Sequence, residues 1–322
     1  MKQTIIDFLK KKDILKLYYH DALRFIKYSM VMDVKSSQER MLGIITNREH
    51  VIEKGLTMPE TRLGFGRDNL IALIELCKIY KNKYDCKHEQ FLSAISVIKE
   101  YKEFHEHHDF KLDDEVLNMI STLVQEFPDI RPSQQVDLSS SAFFSTIDAN
   151  FDVFAHGRHT VRNYSTEDIS DEELKKVMEL AKTAPSACNR QPVRVHICKN
   201  QLIQSVLCLQ NGNRGFGKCA NAVLIVTCNL SSYLNSLERN AAFVDGGIFV
   251  MNLLYSLHYH KIGACTLNWS TTVENDRKLR ELIKLEEKEE VICLITVGKL
   301  PGHFKVAKSE RVKTNRLYTF HR

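Results

Sequence analysis

Apolar residues recur at helical spacing through the first 126 positions. Ile5, Phe8 and Leu9 share one face, as do Leu70, Leu73, Ile74 and Cys77. Phe91, Leu92, Ile95, Ile98 and Tyr101 predict a helix from Glu89 to His107, and a further helix is expected from Asp114 to Gln125. Residues 44–68 are richer in glycine and polar groups. Within them Arg62-Leu63-Gly64-Phe65-Gly66 is the strongest candidate for irregular chain, and it is too short for a phosphate loop. From Phe127 the period is lost. Two prolines and a serine run mark residues 127–154 as a linker or extended arm, which separates a helical region, 1–126, from a second domain, 155–322.

The second domain alternates helix and strand patterns. Ser170-Asp171-Glu172-Glu173 is a capping box, with Ile169 and Leu174 placed as a hydrophobic staple. Leu174, Val177, Met178 and Ala181 form the buried stripe of the helix that follows. Residues 193–199 alternate as a strand does. Residues 222–228 and 291–298 are continuous apolar runs, expected for strands covered on both faces. Residues 244–263 are apolar on nearly every side and predict a central buried helix stopped by Gly263, and a last amphipathic helix carries Leu279, Leu282 and Ile283. The pattern is that of a mixed sheet packed by helices.

Composition changes this picture little. The chain has 322 residues, 43% hydrophobic and 26% charged, with a net charge of +5. That mild excess permits an anionic ligand without arguing for nucleic acid. Nine cysteines, an odd number with no CxxC pair, argue against a zinc ribbon and for a reducing compartment, hence the cytoplasm. No apolar stretch is expected to reach the roughly 18 residues of a membrane span. The Lys-rich amphipathic N-terminus permits weak contact with a membrane surface, although a solvated basic face is the plainer reading. His105, His107, His108 and Asp109 sit in a solvated pattern, and no metal is expected there.

Three polar clusters remain. Arg158-His159-Thr160-Val161-Arg162 is a potential anion cradle, because guanidinium binds phosphate in a bidentate manner. Pro185-Ser186-Ala187-Cys188-Asn189-Arg190-Gln191-Pro192 places four hydrogen-bonding side chains between two prolines. Lys308-Ser309-Glu310-Arg311 follows the last strand. Together they suit a ligand with a phosphate, a polyol chain and a polar heteroaromatic ring.

The run RHTVRNY, a helix, APSACNRQP, the apolar helix from Asp245 and VGKLPG with its Lys-Ser-x-Arg tail together resemble the FMN-dependent nitroreductase superfamily over about residues 155–322. The resemblance implies an α+β fold with a mixed central sheet flanked by helices, here preceded by a mostly helical domain. It implies that Arg158, His159 and Thr160 surround the FMN phosphate or ribityl chain, that Arg162 meets the ribityl or pyrimidine edge, and that Lys308 and Arg311 close on the phosphate. Pro185, Ser186, Asn189 and Gln191 would form a loop reaching the flavin from the partner subunit of a homodimer, with Leu267 and Asn268 beside the flavin ring. The implied activity is NADH- or NADPH-fed, ping-pong hydride transfer to a nitro, quinone or enone acceptor, with the flavin carrying the chemistry and no side chain nominated as catalytic. Alternatives are a dehydrogenase on the same fold, and a flavin-binding scaffold or sensor whose helical half binds a partner. Val193 replaces the family's usual aromatic residue after Gln-Pro, and the short chain between Asn211 and Asn240 implies a reduced substrate lid. Trp269, the only tryptophan, falls near the expected flavin face; a stacking role and a packing role are equally open.

Overall fold

The computed structural model describes residues 2–31, 33, 35 and 37–322. The stripe of Ile5, Phe8 and Leu9 lies outside the described side chains. The chain divides into two compact units, Met1–Val136 with Ala307–Arg322, and Asp137–Val306.

The first unit holds α1 (Lys2–Tyr28), α2 (Gln38–Leu56), α3 (Arg67–Lys83), α4 (Glu89–His107) and α5 (Asp114–Val124). Helix α2 runs through residues 44–56, so the glycine-bearing stretch is irregular only from Thr57 to Gly66. Ser37 caps α2 by accepting from the Arg40 N–H, and Gly66 opens α3 in the left-handed region at φ 64°. The stripes of α3 and α4 meet in the core: Leu70, Leu73, Ile74, Cys77, Phe91, Ile95, Ile98 and Tyr101 are all buried, while Leu92 packs at its margin. The turn at residues 62–66 is fastened to α4. Tyr101 donates to the Phe65 carbonyl at 2.7 Å, and His105 Nε2 accepts the Gly64 N–H at 2.9 Å while Nδ1 donates to the Tyr101 carbonyl. Burial lowers the His105 pKa, in keeping with this neutral, fully engaged ring. Helix α1 packs differently, with Leu15, Tyr19 and Phe25 exposed.

In the second unit, β1 (Val136–Ser139), α6 (Ser140–Phe143) and α7 (Phe151–Gly157) precede α8 (Asp171–Ala181). Then come β2 (Val193–Cys198), α9 (Gln201–Leu207), β3 (Ala222–Asn229), α10 (Ala241–Tyr259), β4 (Gly263–Asn268), α11 (Val273–Ile283), β5 (Glu289–Gly298) and β6 (His303–Val306). The main sheet has the order β2-β3-β5-β4 with antiparallel pairings, and β1 pairs with β6. The fold is thus α+β. The capping box at Ser170 and Glu173 is formed, and Glu173 is held down to about 2, first by the Lys299 ammonium and then by the Ser170 N–H. Helix α10 lies across the sheet, where Leu253 and Leu257 join Leu224, Val226, Ile295 and Val297 in one core. Its Gly246 allows close approach, since a Cβ there would stand 2.6 Å from Ile292. Among the described residues α10 alone is long and apolar enough to cross a membrane, contrary to the expectation that no stretch would reach that length. Its core packing and its buried, hydrogen-bonded Asp245 make it the central helix of this unit.

Leu73 is fully buried among three helices. Leu73→Ala is expected to lower the stability of the first unit by about 2–5 kcal/mol, read as a lower urea midpoint by circular dichroism.

Candidate functional site

The Arg158–Arg162 segment is extended chain held on β4 and β5. Val161 donates its N–H to the Ala264 carbonyl at 3.0 Å. Tyr164 is buried, and its hydroxyl sits 3.0 Å from the carbonyl oxygens of Val161 and Thr296. That ring crosses β5 where a side chain would not fit: a Cβ on Gly298 would stand 2.6 Å from it. With Val161 and Tyr164 turned inward, Arg158, His159, Thr160 and Arg162 are left half-buried at the surface of the unit. Two orphaned polar groups lie beside them. Thr146 Oγ1 is buried without a partner, 2.2 Å from where a Cβ on Gly157 would stand. His258, near the end of α10, is buried with neither ring nitrogen hydrogen-bonded. Its ring is boxed by Phe143, Phe144 and Phe154, and its pKa falls to about 4, mainly by burial and further by the charges of Arg158 and His159.

The Pro185–Pro192 loop is built on the other end of α10. Asp245, buried, accepts the Ala187 N–H at 3.0 Å and the Tyr233 hydroxyl at 3.1 Å. Arg190 forms a two-pronged pair with Glu238, at 3.0 and 2.7 Å, and lies over the Tyr233 ring. Asn252 Nδ2 donates to the Ala181 carbonyl at 2.9 Å and so holds the end of α8. The loop backbone is tightly coiled, with Cys188, Asn189 and Gln191 in the left-handed region at φ 51–53°. Ser186 Oγ accepts the Gln191 N–H at 2.9 Å. Pro185, Asn189 and Gln191 are exposed, and Ser186 is half-buried. Arg190 is thus a structural anchor, and the groups left to meet a ligand are those of Ser186, Asn189 and Gln191.

On β4, Leu267 is buried against the sheet while Thr266 and Asn268 are exposed. Asn268 accepts from Gln210 at its carbonyl, 3.1 Å, beside an open cavity of about 630 Å³ lined by Gln210, Asn213, Arg214, Thr271, Thr272 and Asn275. Four residues of strand separate Ala264, the anchor of the Arg158 segment, from Asn268, roughly 13 Å at about 3.3 Å per residue. Trp269 packs: its indole N–H donates to Asp276 at 2.8 Å. Lys308 and Arg311 belong to the first unit, where Lys308 pairs with Glu310 at 3.3 Å and Arg311 donates to the Ser309 carbonyl.

The sequence reading missed Asp245, Asn252, Glu238 and Tyr233 as supports of the loop. The available signal was the polar pair, Asp245 and Asn252, seven residues apart on one face of an otherwise apolar helix. It also missed His258 and the Gln210–Arg214 cavity wall.

Because His258 stays neutral until about pH 4 while an unfolded histidine takes up its proton near 6.5, stability is lost as pH falls between those values. His258→Phe is expected to flatten that part of the acid limb and to be neutral or stabilising by about 1 kcal/mol near pH 5, measured by urea denaturation across pH.

Residues 155–213 and 205–299 match the family model described as the nitroreductase family. A protein of Archaeoglobus fulgidus named "Putative NADH dehydrogenase/NAD(P)H nitroreductase" is 26% identical over 144 residues, covering 44% of this chain and 80% of the relative. An FMN-dependent nitroreductase of Clostridium difficile R20291 is 17% identical, with 51% of this chain and 92% of that one covered and a TM-score of 0.41. A nitroreductase family protein of Clostridium difficile 630 is 18% identical, with 54% and 99% covered and a TM-score of 0.44. The C-terminal half of this chain is thus similar to the nitroreductase family over residues 155–299.

Proposed function

We propose that the chain is an FMN-dependent oxidoreductase that works as a homodimer, with the cofactor held at the interface. The observation that carries this reading is the separation of the two clusters along α10. The Ser186–Gln191 loop is tied to Asp245, while Arg158 and His159 lie beside His258, thirteen residues later. At about 1.5 Å per residue the clusters stand about 20 Å apart, too far to grip one end of a ligand within one copy. Between them α10 exposes Val244, Ile248, Met251 and Tyr259, with Tyr255 half-buried in the same stripe. Antiparallel pairing of two such helices covers this apolar stripe and brings the loop of one copy to the arginines of the other.

The residues fit the cofactor. Arg158 and Arg162 supply the charge for a phosphate, Thr160 and the orphaned Thr146 hydroxyl supply short polar contacts, and exposed Asn268 lies a ligand's length away. The chemistry FMN supplies when bound is two-electron transfer from NADH or NADPH to a small oxidised acceptor of the nitro, quinone or enone type, in ping-pong order. The protein's part is to bind and orient. The coiled loop, fixed by Asp245 and Glu238, offers Ser186 and Asn189 without a further ordering cost. The α10 pairing excludes water from the shared face, and the Gln210–Arg214 cavity admits the acceptor. Nine cysteines, an odd number with no CxxC pair, support a cytoplasmic setting. The exposed apolar residues of α1 support a second reading, a flavin-binding sensor whose helical half engages a partner.

The purified protein is expected to show a flavin spectrum that bleaches anaerobically with NADH or NADPH, and to sediment as a dimer. Ile248→Asp is expected to give monomer with at least tenfold less bound FMN. A flavin spectrum that does not bleach favours the sensor; a colourless protein that takes up no FMN removes both readings.

A further inference from the structure

The first unit contains a cavity of about 230 Å³ that the flavin reading does not use. It is walled by Thr46, Glu49, His50 and Glu53 of α2, by Glu89, Gln90 and Ser93 of α4, and by Ser309–Arg311. Three of its four carboxylates have their charge answered. Glu89 pairs with Arg316 at 2.8 Å and Lys313 at 3.4 Å, and Glu310 with Lys308. Glu53 accepts the Ser309 N–H at 2.7 Å and stands 3.6 Å from His50. Glu49 differs. It is 6% exposed and lines the cavity, and its one hydrogen bond is accepted from Ser93. One turn earlier on the same helix, Thr46 Oγ1 is also buried without a partner and lines the same space.

A buried glutamate with one hydrogen bond and a buried hydroxyl without a partner line one cavity, and together they call for a donor. The lining offers four carboxyl groups against one guanidinium, and so favours a ligand that donates hydrogen bonds. A metal ion does not suit it, since no group of three His, Cys, Asp or Glu is placed to hold one among the described residues. An alkylammonium fits: three N–H donors, no acceptor, one positive charge and a short apolar chain. We infer that this cavity binds a small primary amine, its ammonium group held by Glu49 and Thr46.

The linked proton gives a direct test. Burial, with the nearby charges of Glu53 and Glu310, pushes Glu49 up to about 8 against the opposing Ser93 hydrogen bond. His50, Glu89 and Arg311 also line the cavity, and Cys77 of α3 feels the Glu49 charge. An empty cavity thus holds a protonated Glu49 at neutral pH, and binding a cation ionises it.

Titration calorimetry of the full chain with 1,4-diaminobutane and with ethylamine, at pH 7 in two buffers of different ionisation enthalpy, is expected to show release of about one proton per amine. Affinity is expected to tighten about tenfold from pH 6.5 to 7.5 and to level off above pH 8.5. Glu49→Gln keeps the Ser93 contact, and it is expected to weaken binding at least tenfold and to abolish the pH dependence; Thr46→Val is expected to weaken binding with the pH dependence intact. No binding of either amine at 10 mM (about 3 kcal/mol of affinity) overturns the inference, and so does binding without proton release or a Glu49→Gln protein that binds as the wild type does. Flavin content and bleaching are measured on the same samples, so this result stands or falls apart from the flavin reading.

Discussion

One carboxylate organises the second unit. Asp245 lies buried near the start of a mostly apolar helix, and burying a charged group without partners costs several kcal/mol. Its partners are the Ala187 N–H and the Tyr233 hydroxyl, so the cost of burial is offset only when the Pro185–Pro192 loop is in place. Three consecutive demands then agree. The left-handed backbone at Cys188, Asn189 and Gln191 is strained for L-residues, and the Arg190–Glu238 pair and Asp245 together over-determine it. What the loop leaves at its surface is a small set of polar side chains, exposed Asn189 and Gln191 with half-buried Ser186.

The same helix fixes the other cluster from its far end, by packing rather than hydrogen bonding. His258 has no polar partner; it is held by three phenylalanines and stays neutral beneath two basic residues. A neutral imidazole there adds no further positive charge beside Arg158 and His159. Helix α10 therefore acts as a ruler. Its length sets the distance between the clusters, its core face locks it to the sheet at Gly246, and its exposed stripe is what a second copy can cover.

Much of this was legible in the sequence where one residue type has one physical use. The capping box at Ser170, the doubly covered strands at 222–228 and 291–298 and the apolar helix after Asp245 follow from patterning, and the structure carries all of them. Strand β4 was harder to read, because GACTLN is short and little β-branched, and its Gly263 reads as a helix stop although α10 ends at Tyr259. The role of Trp269 depended on Asp276, seven positions on, and the supports of the loop lie some 45 to 60 positions away, so no local pattern encodes them. Arg190 shows the limit well. Within APSACNRQPV it resembles a ligand group, yet its three guanidinium nitrogens donate to Glu238 and the Ala187 carbonyl, and the group lies over the Tyr233 ring.

The helical unit obeys a different rule. Glu49 and Glu53 sit one turn apart on α2 and both are buried, an arrangement that like-charge repulsion at i,i+4 and the cost of burying a carboxylate both disfavour. Glu53 finds compensation in the Ser309 backbone and in His50. Glu49 finds only one hydroxyl, and its raised pKa is the physical sign of that shortfall. A protein whose stability alone mattered would be better served by an apolar residue or a Gln at that position. Retaining a buried, half-satisfied carboxyl at the wall of a cavity makes sense when something enters that cavity and completes it, and the chemistry of the wall specifies a cation with hydrogen-bond donors.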